Sequence, residues 1–194
     1  MIPFSFSIVL VFLAEMGDKT QFTTAALATR YSWRLVLAAL TVATLVSHLL
    51  SVWLGEAVSH YLPDRALEVV AGVAFIGFGL WTLRADNGDD EETPLRRMSP
   101  FAALTLTFFT SEIGDKTMLM TVALAAKYKH ALTAVWLGST IGMLAADALA
   151  IAVGRKLLTL LPERLLRPAT AAIFLVTGAA MLARVFLSSP AGHV

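Results

Sequence analysis

The chain contains no cysteine, which excludes disulfides, thiolate metal ligands and thiol nucleophiles, so any metal it handles must be held by oxygen or imidazole. Charge is also scarce. Only 15% of residues are Asp, Glu, Lys or Arg, against roughly 25% in an ordinary soluble domain. The net charge of +1 leaves no electrostatic footprint for nucleic acid. No HExxH, GxSxG or phosphate-binding loop occurs, so no enzymatic chemistry and no resident cofactor is expected. The apolar stretch from Ile2 to Ala14 lacks the basic residues that precede a cleavable signal and reads as a permanent span.

What is abundant is apolar sequence: 57% of the 194 residues, with a mean hydropathy of +0.73. A bilayer core needs about 20 apolar residues per helix, and six stretches qualify, 3–29, 35–58, 66–84, 100–126, 131–154 and 166–187. The fold class expected is an all-α membrane protein of six transmembrane helices. The polar run ADNGDDEETP interrupts the chain at its middle and reads as a solvated acidic loop, dividing it into 1–85, a linker over 86–99, and 100–194.

The two halves resemble each other. EMGDKT at 15–20 aligns with EIGDKT at 112–117 at an offset of 97. Beyond the first loop an offset of 99 pairs His48 with Asp147, Gly55 with Gly154, Pro63 with Pro162 and Gly79 with Gly178. Three spans per half is an odd number, so the second repeat must run inverted relative to the first, an arrangement that in transporters puts the binding site near the midplane. Outside the motifs, Arg30, Arg34, Arg84, Arg96, Arg97, Arg155, Lys156, Arg164 and Arg167 fall on one side, against Arg65, Lys127, Lys129 and Arg184 on the other. That bias predicts a cytoplasmic linker with both termini outside.

Each motif sets two acids and a lysine inside an apolar span. On a continuous helix Glu15 and Asp18 lie on one face with Lys19 beside them, and Glu112, Asp115 and Lys116 repeat the pattern. Exposed to lipid, six such charges would cost more than about 15 kcal/mol even at about 2.5 kcal/mol each, so they must face inward. A structural ion cluster is one reading. Four carboxylates against two ammoniums leave a deficit of two, which one divalent cation or two protons would balance, and this favours exchange of a divalent cation for protons. The carboxylates, the Thr20 and Thr117 hydroxyls and the Gln21 amide make a hard oxygen site suited to Mn²⁺, Ca²⁺ or Mg²⁺. Lys19 and Lys116 act as counter-cations, since an ammonium has no lone pair to offer a metal. Gly17 and Gly114 either let helices approach closely or let the helix unwind. Asp147 reads as a proton relay or outer ligand, and His48 as a relay or a packing residue. Ser47, Ser51, Ser139 and Thr140 read as packing hydroxyls, and Trp33, Trp53, Trp81 and Trp136 as interfacial anchors or lipid-facing residues.

The paired E-x-G-D-K-T motifs, one in the first helix of each repeat, resemble those of the Golgi-type and bacterial family of manganese and calcium cation/proton exchangers, relatives of the lysine exporter superfamily. The resemblance covers essentially the whole chain. It implies a secondary transporter whose metal site is formed by Glu15, Asp18, Glu112 and Asp115, with Mn²⁺ export in exchange for H⁺ as the bacterial role and Ca²⁺/H⁺ exchange as the alternative. The second motif continues into Met118 where the first has Gln21, so the outer ligands are not symmetric. The implied setting is a bacterial inner membrane, with a divalent cation, protons and lipid as partners; a homo-oligomer is left open. A channel, which would need no proton coupling, and a structural membrane protein are the competing classes.

Overall fold

The computed structural model describes residues 2–83, 98–158 and 163–187, and the side chain of Lys19 lies outside what is described. The linker expected at 86–99 falls almost wholly outside these residues. Among the described residues there are eight helices and no strand: α1 (Ile2–Glu15), α2 (Lys19–Arg30), α3 (Trp33–Tyr61), α4 (Asp64–Thr82), α5 (Pro100–Glu112), α6 (Lys116–Lys127), α7 (Leu132–Leu158) and α8 (Glu163–Leu187).

The stretches 3–29 and 100–126, expected as single spans, are each broken at the motif. The cause is local. Gly17 has φ +76° and Gly114 φ +80°, in the left-handed region where a Cβ is disfavoured. These glycines therefore end one half-helix and start another. Gly114 is not a close-approach residue, for a Cβ there would meet nothing within 4 Å. Close approach is made elsewhere: a Cβ on Gly142 would sit 2.5 Å from the Ile8 carbonyl oxygen where α1 crosses α7, and one on Gly55 2.5 Å from that of Val122 where α3 crosses α6. Among the described residues, Trp33–Tyr61 and Leu132–Val153 are long and apolar enough to cross a membrane as unbroken helices, while Ile2–Glu15 and Ala171–Leu187 are apolar but shorter.

The helix neighbours mirror each other between the halves. α1 lies along α7 as α5 lies along α3; α2 meets α7 as α6 meets α3; α3 meets α7 at the centre, and α4 pairs with α8. The last pair is locked by Phe75, which meets Phe78 edge-on at 6.4 Å and Phe174 at 6.2 Å. Residues from the start of α1 (Pro3), the start of α4 (Arg65), the end of α6 (Lys127) and the end of α8 (Val185) line one cavity, so these four ends lie at the same end of the bundle. α1 thus begins where α6 finishes, and the two broken helices run in opposite directions.

Polarity is inside out. Glu15, Gln21, Thr24, Thr44, Ser47, His48, Thr121, Ser139 and Asp147 are buried, while Val46, Leu49, Trp53, Val73, Leu80, Ile141 and Val176 are exposed. A water-soluble bundle would reverse this arrangement. Trp33, Trp53 and Trp81 face outward as expected of anchors. Trp136 does not: it is partly buried against the core and donates its Nε1–H to the Leu45 carbonyl at 3.0 Å.

Candidate metal centre

Each motif is a helix break with chemistry at both lips. Glu15 and Glu112 are the last residues of α1 and α5, and Asp18 and Asp115 are the N-caps of α2 and α6. The acids therefore sit between the carbonyl end of one half-helix and the amide end of the next, and the amide end favours their negative charge. The face-sharing expected of a continuous helix is replaced by convergence across two breaks.

One oxygen each from Glu15, Asp18 and Asp115 lies within 4.8 Å of the others. Two of these residues come from the first half and one from the second. Lys116 crosses between halves, its Nζ 2.9 Å from Asp18 Oδ1. Asp115 Oδ2 accepts from the Thr117 hydroxyl at 3.0 Å and from the Thr117 amide at 3.3 Å, whereas Asp18 makes no cap hydrogen bond to its own helix. Both Glu15 oxygens are buried with no hydrogen-bond partner among the described residues.

Glu112, expected as the fourth ligand, is held apart from this cluster. Its Oε1 accepts from Thr44 at 2.9 Å and its Oε2 accepts from Ser47, both on α3. Ser47 is thus more than a packing hydroxyl. The offset of 99 explains why Glu15 lacks such partners: Thr44 pairs with Met143 and Ser47 with Ala146, so α7, which α1 follows, offers thioether and methyl where α3 offers two hydroxyls. Thr44 carried no earlier assignment, yet 44, 47, 48 and 51 form a polar stripe at helical spacing that marks the face.

Gln21, expected as a ligand, has its amide committed elsewhere. Oε1 accepts from the Gly17 amide at 2.9 Å, and Nε2 donates to the Ala146 carbonyl of α7, also at 2.9 Å. Met118 holds the matched place, its Sδ accepting from the Gly114 amide at 3.3 Å, but a thioether can donate nothing to α3. Thr20 is half-buried in the first turn of α2.

His48 and Asp147 lie in the same interior. His48 Nδ1 is 3.3 Å from the Thr140 hydroxyl, which itself donates to the Trp136 carbonyl. With the Thr140 proton given to the Trp136 carbonyl, the contact fits a donor at His48 Nδ1. The Thr24 hydroxyl faces the Asp147 carboxylate, and His48 Nε2 and the Ser139 hydroxyl are buried without hydrogen-bond partners among the described residues. Asp147 is within electrostatic reach of Glu15.

A group of one buried and two half-buried carboxylates between mirrored half-helices is a place for a hard cation. The family profile described as "Divalent cation/proton antiporter GDT1" matches residues 3–90 and 100–189. The chain belongs to the GDT1 family of divalent cation/proton antiporters. A Vibrio cholerae protein named "Putative manganese exporter" is 42% identical over 171 residues, 88% of this chain and 85% of that protein. The Arabidopsis thaliana "GDT1-like protein 5" is 28% identical over 214 residues, 90% of this chain and 92% of its own length. "GDT1-like protein 4" of the same plant is 30% identical over 216 residues, 90% and 93% of the two chains. No solved structure matches. As an antiporter the chain works in a membrane, which is the setting its exposed apolar surface requires.

Proposed function

We propose that this antiporter exports Mn²⁺ from the bacterial cytoplasm across the inner membrane in exchange for H⁺. The observation that carries the reading is the convergence of Glu15, Asp18 and Asp115, with neither Glu15 oxygen hydrogen-bonded among the described residues. Among the described side chains, three carboxylates against the Lys116 ammonium leave two negative charges, which one divalent cation neutralises. Glu112 is the proton-bearing or outer carboxylate, anchored on α3, with Asp147 beside the site as relay and His48 as the matched polar group on α3. Thr117 and Thr20 supply hydroxyls near the metal, and Lys116 holds the acids when the metal leaves.

The framework is six passes in two inverted three-helix repeats, 1–85 and 100–194, joined by a cytoplasmic linker over 86–99, with both termini outside. The opposed directions of the two broken helices and their mirrored neighbours support it. Each broken helix supplies one pass, because neither half alone reaches the roughly 20 residues a bilayer needs. Rocking of one repeat against the other exposes the site alternately. Outside, protons displace the metal by removing carboxylate charge; inside, deprotonation restores the site.

The name carried by the Vibrio relative favours Mn²⁺. Ca²⁺ uses the same hard oxygen donors and is the second reading. The test is complementation: in bacteria lacking their manganese exporter, the wild-type gene restores growth on excess Mn²⁺ and lowers cell manganese, and Asp115→Asn, expressed and inserted equally, does neither. Full rescue by Asp115→Asn would remove the cluster from transport.

A further inference from the structure

The bundle carries a second polar feature, remote from the motifs and independent of the metal reading. At the end where α1 begins, a cavity of about 740 Å³ is lined by Pro3, Arg65, Glu68, Lys127, Lys129 and His130 among others, a volume in the range of small-molecule sites. Arg184, next to the lining residue Val185, is close enough to Lys127 for their charges to repel. The four Lys and Arg residues that the loop assignment leaves on this face, Arg65, Lys127, Lys129 and Arg184, are therefore the ones gathered at this cavity. Interfacial cations that only anchored helices would spread around the bundle's rim, where repulsion between them is least. Here they converge, and among the described side chains Glu68 is the one carboxylate lining the cavity.

The floor is built. Lys127 Nζ lies 5.6 Å from the centroid of the Tyr128 ring, and that ring meets Phe6 edge-on at 6.3 Å. Lys127 is half-buried and within electrostatic reach of both Glu68 and Arg184. A bound anion would offset the repulsion between Lys127 and Arg184. We propose that this cavity binds a phosphate group at the membrane surface, the chemistry shared by an anionic phospholipid headgroup and free inorganic phosphate, gripped by Lys127, Lys129 and Arg65 with His130 at the rim. Lysine and arginine are the side chains that hold phosphate by charge-assisted hydrogen bonds.

The experiment has two arms. Delipidated full-length protein in a neutral detergent is titrated with inorganic phosphate, with chloride at equal ionic strength as control, and thermal unfolding is followed. In parallel, nanodiscs of phosphatidylcholine with or without phosphatidylglycerol are compared by unfolding and by native mass spectrometry for retained lipid. Wild type should be stabilised, with binding weakened by about tenfold or more in Lys127→Gln/Lys129→Gln and retained in the charge-preserving Lys127→Arg. Helicity and monodisperse elution confirm that each variant is folded. A response in the nanodisc arm alone assigns a lipid headgroup, one in the detergent arm alone assigns free phosphate, and one in both assigns the phosphate group from either source. No response in either arm, or an equal response from the double Gln variant, overturns the proposal.

Discussion

Glu15 and Glu112 occupy matched positions, and their neutralisation should change stability in opposite directions. Glu15 is fully buried, with neither oxygen hydrogen-bonded among the described residues. A buried carboxylate whose oxygens accept no hydrogen bond carries a desolvation cost of several kcal/mol that the Lys116 charge offsets only in part, so in metal-free protein Glu15→Gln should stabilise by about 1 kcal/mol or more, raising Tm by about 2–4 °C for a chain of this size. Glu112 accepts from Thr44 and Ser47. Glutamine exchanges two hydrogen bonds to a charged acceptor for weaker ones to a neutral amide, so Glu112→Gln should destabilise by about 1–2 kcal/mol. Metal adds a second test. At a hundredfold excess over Kd, a cation stabilises wild type by about 2.7 kcal/mol, and Glu15→Gln should lose most of that shift. The assay is thermal unfolding in detergent with and without Mn²⁺. A metal-free Glu15→Gln less stable than wild type, with its Mn²⁺ shift intact, would show that Glu15 belongs to a structural ion cluster and would refute the reasoning.

Three further outcomes follow from the same geometry. Gln21→Met removes the donor to the Ala146 carbonyl and should cost about 1–3 kcal/mol, with a weaker Mn²⁺ midpoint in the unfolding assay, while Met118→Gln stays within about 1 kcal/mol of wild type. Lys116→Met leaves the Asp18 carboxylate without its partner at 2.9 Å; metal-free protein should lose about 3 kcal/mol, and saturating Mn²⁺ should recover a larger share of stability than in wild type. Gly142→Ala drives a methyl group into the Ile8 carbonyl, so α1 and α7 must separate at a cost of about 1–3 kcal/mol, read as lower Tm and lower yield of folded protein.

Much of the site was legible in the sequence because the motif carries its own punctuation. Two copies of E-x-G-D-K-T inside apolar runs announce inward-facing acids, and the offset of 99 already set His48 opposite Asp147. The helix breaks were legible only as one of two options, since a glycine inside an apolar run reads alike as a packing contact and as a left-handed turn. The division of labour between Glu15 and Glu112 could not be read. It depends on α5 lying along α3 and α1 along α7: that packing brings Thr44 and Ser47 to Glu112, while α7 carries Met143 and Ala146 at the matched positions. Gln21 misled for a related reason: an amide among acids looks like a ligand until the Gly17 amide and the Ala146 carbonyl claim both of its ends. Trp136 likewise reads as an anchor until Leu45 supplies a buried acceptor.

The central claim is coupled exchange at the three converging carboxylates, and proteoliposomes enclosing a pH-sensitive dye test it most directly. With Mn²⁺ added outside and no other gradient, wild type should take up metal and release protons from the lumen, and Asp115→Asn should do neither. Metal uptake without proton movement, or proton-coupled uptake undiminished in Asp115→Asn, would contradict the account.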